Sequence, residues 1–129
     1  MSNARDISSM EEKQVAKAWV NFNGQDTNSE FTEANGGIRD SFNVSSVTNL
    51  GTGHYEVNFE ESFADANYAW AGAAGDVDVT TVIGTPTSVR TGQMTTNKIR
   101  ISVNYASATT NGEFYDYELV TLIVFGELS

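Results

Sequence analysis

The sequence predicts an all-β fold: an antiparallel β-sandwich of about seven or eight strands behind a short N-terminal arm. Three observations carry that expectation. Apolar residues recur at every second position, first along Ala16 to Phe22 and again along Ile99 to Tyr105. Gly-, Asn- and Thr-rich breaks separate these stretches at the spacing of sandwich turns. Helical period is almost absent beyond the first residues, and proline occurs once, at Pro86.

Residues 1–14 read as a polar arm or docking segment, and 15–129 as one domain. Ser8 with Glu11, or Ser9 with Glu12, fits a capping box with Ile7 as staple, so a short helix over Ser9 to Lys17 is one reading of the arm. In "VAKAWVNFN", Ala16, Ala18, Val20 and Phe22 share a face, and Trp19 stands on the other. Residues 24–37 are polar and end on Gly-Gly, which predicts a long loop. A hairpin follows: Phe42 and Val44 face inward on its first strand, and Tyr55, Val57 and Phe59 on its second. Thr48 to Gly53 connect them.

"ANYAWAGAAG" reads as a strand with Tyr68, Trp70, Gly72 and Ala74 on one side and small residues on the other. Val77 to Gly84 and Thr87 to Met94 are short strand candidates on either side of Pro86. Asn97 to Ala106 alternates cleanly, with Ile99, Ile101, Val103 and Tyr105 inward, and Ser107 to Phe114 is a turn. Tyr117 to Glu127 is apolar on both faces, so it is expected to be a central or interface strand. The core expected from these phases comprises Val20, Phe22, Phe42, Val44, Tyr55, Val57, Phe59, Ile99, Ile101, Val103, Leu119, Ile123 and Phe125.

The bulk numbers exclude several classes. Seven basic against seventeen acidic residues leave a formal charge of −10, and no Lys or Arg follows Arg100. Such a chain is repelled by phosphate backbones and anionic membranes, so no nucleic-acid partner is expected. The longest apolar run, Leu119 to Phe125, is too short to span a bilayer, and no membrane insertion is expected. The N-terminus is too polar for a signal peptide. Cysteine is absent, which excludes disulfides and thiolate metal sites.

Candidate chemistry is sparse. His54, the only histidine, alternates with polar Glu56 and Asn58, which reads as a surface position; no third group marks a catalytic triad. Glu60 and Glu61 point to opposite faces of a strand, and Asp76 with Asp78 reads as two solvated carboxylates rather than a glycosidase pair. Asp26, Asn28 and Glu30 resemble the start of a calcium loop, but Phe31 stands where the turn glycine belongs. No metal and no cofactor is expected. "NVS" at Asn43 is a formal glycosylation sequon. Phe114, Tyr115 and Asp116 form the one candidate glycan-binding group, aromatics to stack on sugar faces with a carboxylate beside them. The competing reading makes Tyr115 and Tyr117 the start of the last strand's apolar packing face.

Three segments in fixed order bear a resemblance. "KAWVNFNG" (17–24), "IRDSFNVSSVTNLGTGHYEVNFEESF" (38–63) and "DANYAW" (65–70) together resemble a domain of tail-fibre and related virion proteins of bacteriophages and prophages. Two departures stand out: the Gln25 to Gly37 loop is longer and more acidic than the pattern, and Ala64 replaces a proline common before D-A-N-Y. The resemblance implies a non-enzymatic structural domain that assembles as a homotrimer, in the virion tail rather than the head, made in the host cytoplasm. It implies variable loops that meet a host surface glycan or protein, and the polar arm of residues 1–14 is the segment expected to contact other virion proteins. It transfers no catalytic residue. A head fibre, decoration protein or tail adaptor, and a stand-alone carbohydrate-binding module, are the competing expectations.

Overall fold

The alternation of Ala16 to Phe22 is realised as strand β1 (Ala16–Phe22), in which Ala18, Val20 and Phe22 are fully buried. A computed structural model describes residues 14–76, 83–88, 90–106 and 113–129. Nine further strands follow: β2 (Glu30–Phe31), β3 (Ile38–Phe42), β4 (Val44–Gly51), β5 (His54–Phe59), β6 (Ala69–Gly75), β7 (Ile83–Thr87), β8 (Lys98–Ala106), β9 (Glu113–Phe114) and β10 (Leu119–Phe125). Every pairing between them is antiparallel. All belong to one sheet in the order β2-β4-β5-β8-β7-β6-β10-β1-β3, with β9 attached to β8.

The sheet curls into a nearly closed barrel. Its two ends meet where β3 runs into β4 through the single residue Asn43, whose φ is 55°. A parallel bridge between Thr32 and Gly37 adds a second tie. Asn43 is enriched-type chemistry for such a corner, since Asn tolerates the left-handed region. Its side chain fixes the corner by accepting from Glu61 N at 2.6 Å and donating to Glu61 O at 3.2 Å. Two walls result: β4, β5 and β8 on one side, and β6, β10, β1 and β3 on the other.

Both walls close on one interior. Val47, Tyr55, Val57, Ile99, Ile101 and Val103 from the first wall meet Val20, Phe22, Val120, Leu122 and Val124 from the second. Each end is plugged by aromatics. Phe22 packs on Phe31 and Tyr55 with ring centroids 5.8 and 5.1 Å away; Phe63 lies 4.8 Å from both Phe59 and Tyr68 at the other end. Tyr68 brings a polar handle into this apolar plug. Its hydroxyl lies 2.9 Å from Thr95 O and 3.2 Å from Lys98 O, and burial pushes its pKa up to about 12.

The antiparallel, all-β expectation holds apart from one helical turn, Arg90–Gln93. Of the expected core, Val20, Phe22, Val44, Tyr55, Val57, Phe59, Ile99, Ile101 and Val103 are buried, and four residues are not. Leu119, Ile123 and Phe125 are 42, 37 and 37% exposed, because β10 takes the opposite phase and sends Val120, Leu122 and Val124 inward. A strand apolar on both faces carries no phase signal of its own. Phe42 is 53% exposed because the Asn43 corner puts it on a different strand, and a different wall, from Val44.

Other elements shift as well. Residues 24–37 include β2, whose Phe31 is fully buried rather than a loop residue. The first hairpin strand runs on to Gly51, so Thr52 and Gly53 alone make the turn. Pro86 lies inside β7, opposite Val103, not between two strands. It is tolerated there because, among the described residues, β6 pairs with β7 only at Ala74↔Gly84, leaving that side of Pro86 without a ladder to interrupt. The helix expected over Ser9 to Lys17 lies mostly outside the described residues, and Ala16 and Lys17 already belong to β1. Val77 to Val82 and Ser107 to Gly112 also lie outside them.

Candidate functional site

The expected glycan-binding group sits at the barrel end that carries the β4–β5 turn. Here β9 pairs with β8 as Asn104↔Phe114 and Tyr105↔Glu113. The turn is drawn against this pair: Val103 N donates to Gly53 O at 2.7 Å, and Tyr115 N donates to Val103 O at 3.1 Å. Gly53 has φ of 69°, and a Cβ there would come within 2.6 Å of Val103 O and 2.8 Å of Tyr115 N. Only glycine meets both demands, the left-handed backbone and the close approach.

The three predicted residues separate in role. Phe114 is 49% exposed and lies against the His54 ring, centroids 4.2 Å apart. Tyr115 is half-buried and donates to Asp76 Oδ2 at 3.2 Å; the negative charge of Asp76 raises its pKa above the ordinary phenol value. Asp116 is turned into the structure. Its Oδ1 accepts from Gly53 N at 2.7 Å and lies 2.7 Å from the Tyr55 hydroxyl, which also reaches Gly24 O at 2.7 Å. One phenolic proton is thus shared between two acceptors. Burial first, and then the Asp116 carboxylate, drive the Tyr55 pKa far upward, so the hydroxyl stays protonated. Gly24 is required at this meeting point, since a Cβ would lie 2.6 Å from the Tyr55 hydroxyl.

Residues that sequence spacing could not bring together complete the rim. Tyr105 donates to Glu113 Oε2 at 3.0 Å, and the Tyr105, Tyr115 and Tyr117 rings stack edge-on at 5.5 and 4.7 Å. Burial raises the Tyr117 pKa, and its hydroxyl is buried with no hydrogen-bond partner among the described residues. The resulting surface offers one exposed aromatic ring flanked by phenols and carboxylates. Chemically it can stack on an apolar ring face and accept hydroxyl protons.

Two further groupings do not assemble into sites. His54 Nδ1 lies 3.0 Å from Ser102 Oγ, across the β5–β8 pair. A triad needs a carboxylate on the other ring nitrogen; among the described residues none hydrogen-bonds His54, whose ring is stacked on Phe114 instead. The calcium-like loop does not converge. Asp26 Oδ1 caps Asn28 N at 2.8 Å, while Glu30 Oε1 accepts from Ser46 at 2.9 Å. Among the described residues no three His, Cys, Asp or Glu side chains gather to hold a metal. Glu60 and Glu61 are both exposed and line an open cleft of about 710 Å³ with Lys17, Glu33 and Phe42. Asp78 lies outside the described residues.

The rest of the surface is divided. On the β4–β5–β8 wall, Glu56 receives Lys98 Nζ at 3.2 Å and Arg100 at 3.0 Å. Burial pushes its carboxyl up, but these two hydrogen bonds and charges outweigh that and hold it below the usual value. The other wall turns Trp19, Phe42, Ile123 and Phe125 outward. The sequence shows Trp19 as an apolar residue out of phase, whereas its alternation puts Phe42, Ile123 and Phe125 in the core.

No protein family, curated protein or solved structure matches the chain. Among the described residues no helix is long and apolar enough to cross a membrane.

Proposed function

We propose that this chain is a bacteriophage virion structural protein, a short tail fibre or fibre-tip protein that contributes to host attachment without enzymatic activity. In this reading the domain is a sandwich-like packing unit in a homotrimer. Residues 1–14 dock it to other virion proteins, and its end loops face the host. The observation that carries the proposal is where the resemblance falls. Its three segments supply Val20, Phe22, Ile38, Val44, Tyr55, Val57, Phe59, Phe63 and Tyr68, which form one contiguous buried cluster. A resemblance confined to surface loops would say little about kinship of fold. One that spans both walls and both aromatic plugs concerns the body of the domain.

Display in many copies would turn weak contacts at the loop ends into firm adhesion. The test is mass spectrometry of purified, dissociated particles, with antibody labelling in electron microscopy to locate the chain. Detection at the tail tip is expected. Labelling on the head would replace the tail reading by a head fibre or decoration protein, and absence from particles would remove the virion reading altogether.

The exposed ring of Phe114 favours a second reading, a carbohydrate-binding module. A glycan array comparing the wild type with Phe114→Ala and Tyr115→Ala decides it: binding that both variants lose supports the module, and no binding by the wild type removes it.

A further inference from the structure

The apolar outer face of the β3–β1–β10–β6 wall has a chemistry that selects its occupant. Register sets Phe42, Trp19, Ile123 and Ala71 in one row across the four strands. A row of exposed apolar groups on a sheet is normally covered. Seven large apolar side chains are exposed among the described residues, and four of them, Phe42, Leu119, Ile123 and Phe125, stand on this wall.

Charge narrows the choice. The chain carries −10 overall, yet the four strands of this wall carry only three charged residues, Lys17, Arg39 and Asp40, two of them basic. Arg39, from the bulge in β3, lies over Asn21 with its Nη1 3.2 Å from Asn21 Oδ1. Two copies of so acidic a chain repel each other on the whole; this wall has no acidic excess, so copies approach here without that penalty. An anionic membrane or nucleic acid finds no basic patch on the face to hold it.

Relief narrows it further. Phe42 and Trp19 form a ridge on one half of the face. On the other half β6 presents only Ala69, Ala71 and Ala73, and a shallow depression of about 570 Å³ opens between Trp19 and Ala71. The two halves are complementary in height. We propose that a second copy of this chain covers the face, the Phe42–Trp19 ridge of one copy seated over the alanine strand of the next. Facing sheets interdigitate in this way at a separation of about 10 Å. Four strands at about 4.8 Å spacing and seven residues at about 3.3 Å rise give a footprint near 440 Å² in projection, and side-chain relief takes the accessible area toward that of a small specific interface.

A two-fold pair and a ring of three both satisfy this contact. The tail-fibre reading supplies the number three; the face itself does not depend on it. The experiment is light scattering after size exclusion, from about 1 to 100 μM, spanning the affinity expected of a small interface. The chain should show two or three times its own mass of 14.0 kDa. Ile123→Glu and, separately, Ala71→Glu should each weaken association by about 10-fold or more with circular dichroism unchanged. Ala71→Glu keeps the test alive if Ile123→Glu does not fold. Leu50→Glu, an exposed apolar residue away from the face, should leave the mass unchanged.

A wild type that stays monomeric overturns the proposal. So does an oligomer that survives both face variants, or one that dissociates equally in Leu50→Glu. Dissociation on deletion of residues 1–13, with both face variants intact as oligomers, would assign association to that segment instead. A two-copy mass keeps the face and removes the trimer; absence from particles removes the virion reading and keeps the face.

Discussion

The two walls of this barrel share an interior and differ in what they show to the outside. Outward from the β5–β8 pair stand His54, Glu56, Asn58, Lys98, Arg100 and Ser102, a polar ladder paired across the strands. Outward from the β1–β10 pair stand Trp19, Ile123 and Phe125. Inward, both walls are the same in kind: β-branched and aliphatic side chains with almost no exposure. The inner faces therefore specify the fold, and the contrast between outer faces is what the proposed pairing of copies rests on.

The largest effects should ignore that contrast. Leu122→Ala on the apolar wall and Ile101→Ala on the polar wall each remove a fully or almost fully buried aliphatic side chain. Each should cost about 2–5 kcal/mol in denaturant unfolding. A large inequality between them would mean that one wall packs loosely, and would break the claim of a common core.

Next in size is the polar tie at the barrel end. Tyr55→Phe removes the hydroxyl that Asp116 and Gly24 share, leaving a partly buried carboxylate and a carbonyl short of a donor. A loss of about 1–3 kcal/mol is expected in urea unfolding, with the spectrum of the native state retained. A negligible loss would return Asp116 to the role of a free surface carboxylate available to a ligand.

How much of this was legible in the sequence follows from which signals are local. β8 is legible directly, because its inward Ile99, Ile101 and Val103 alternate with outward Lys98, Arg100 and Ser102. The two-sided apolar run of β10 predicts a central or interface strand, and it lies between β6 and β1; it predicts Leu119, Ile123 and Phe125 inward because a run apolar on both sides holds no information on phase. Phe42 failed for a different reason. One left-handed residue, Asn43, ends a strand without any glycine or proline to announce it. Phe31 was hidden in a polar stretch that a two-residue strand suffices to fold inward. At the candidate site Phe114 to Asp116 were found from their composition. The separation of Asp116 into a structural role depends on Tyr55 and Gly53, more than sixty positions away. The ladder of Tyr105, Tyr115 and Tyr117 likewise arises only once β8 and β9 pair.

A smaller effect should have the opposite sign. The Tyr117 hydroxyl is buried without a hydrogen-bond partner among the described residues, although its ring is packed against Tyr115. Tyr117→Phe keeps the ring and removes a dehydrated polar group. It should be neutral or stabilising by up to about 1 kcal/mol in thermal unfolding. Destabilisation of that size would reveal a partner for the hydroxyl and make this end of the barrel a polar site.

The smallest effect separates the outer faces most sharply. Glu56 is held below its ordinary pKa by Arg100 and Lys98, against a burial penalty that raises it. Its folded pKa therefore lies below its unfolded one. The stability it contributes is fully present above the unfolded carboxylate value of about 4.3, and is lost as pH falls through the folded value. Lys98 and Arg100 side chains are 42 and 43% exposed, so screening reduces the pair to about 0.5 kcal/mol. Glu56→Gln should cost that much at pH 7, less in high salt, and nothing well below pH 4, at any protein concentration. The uncharged variant Ile123→Ser should behave conversely: little change in monomer stability, and a concentration-dependent loss of association that salt does not relieve, because burial of apolar surface is not screened. A Glu56 effect that grows with protein concentration would place the polar wall, rather than the apolar one, at the contact between copies.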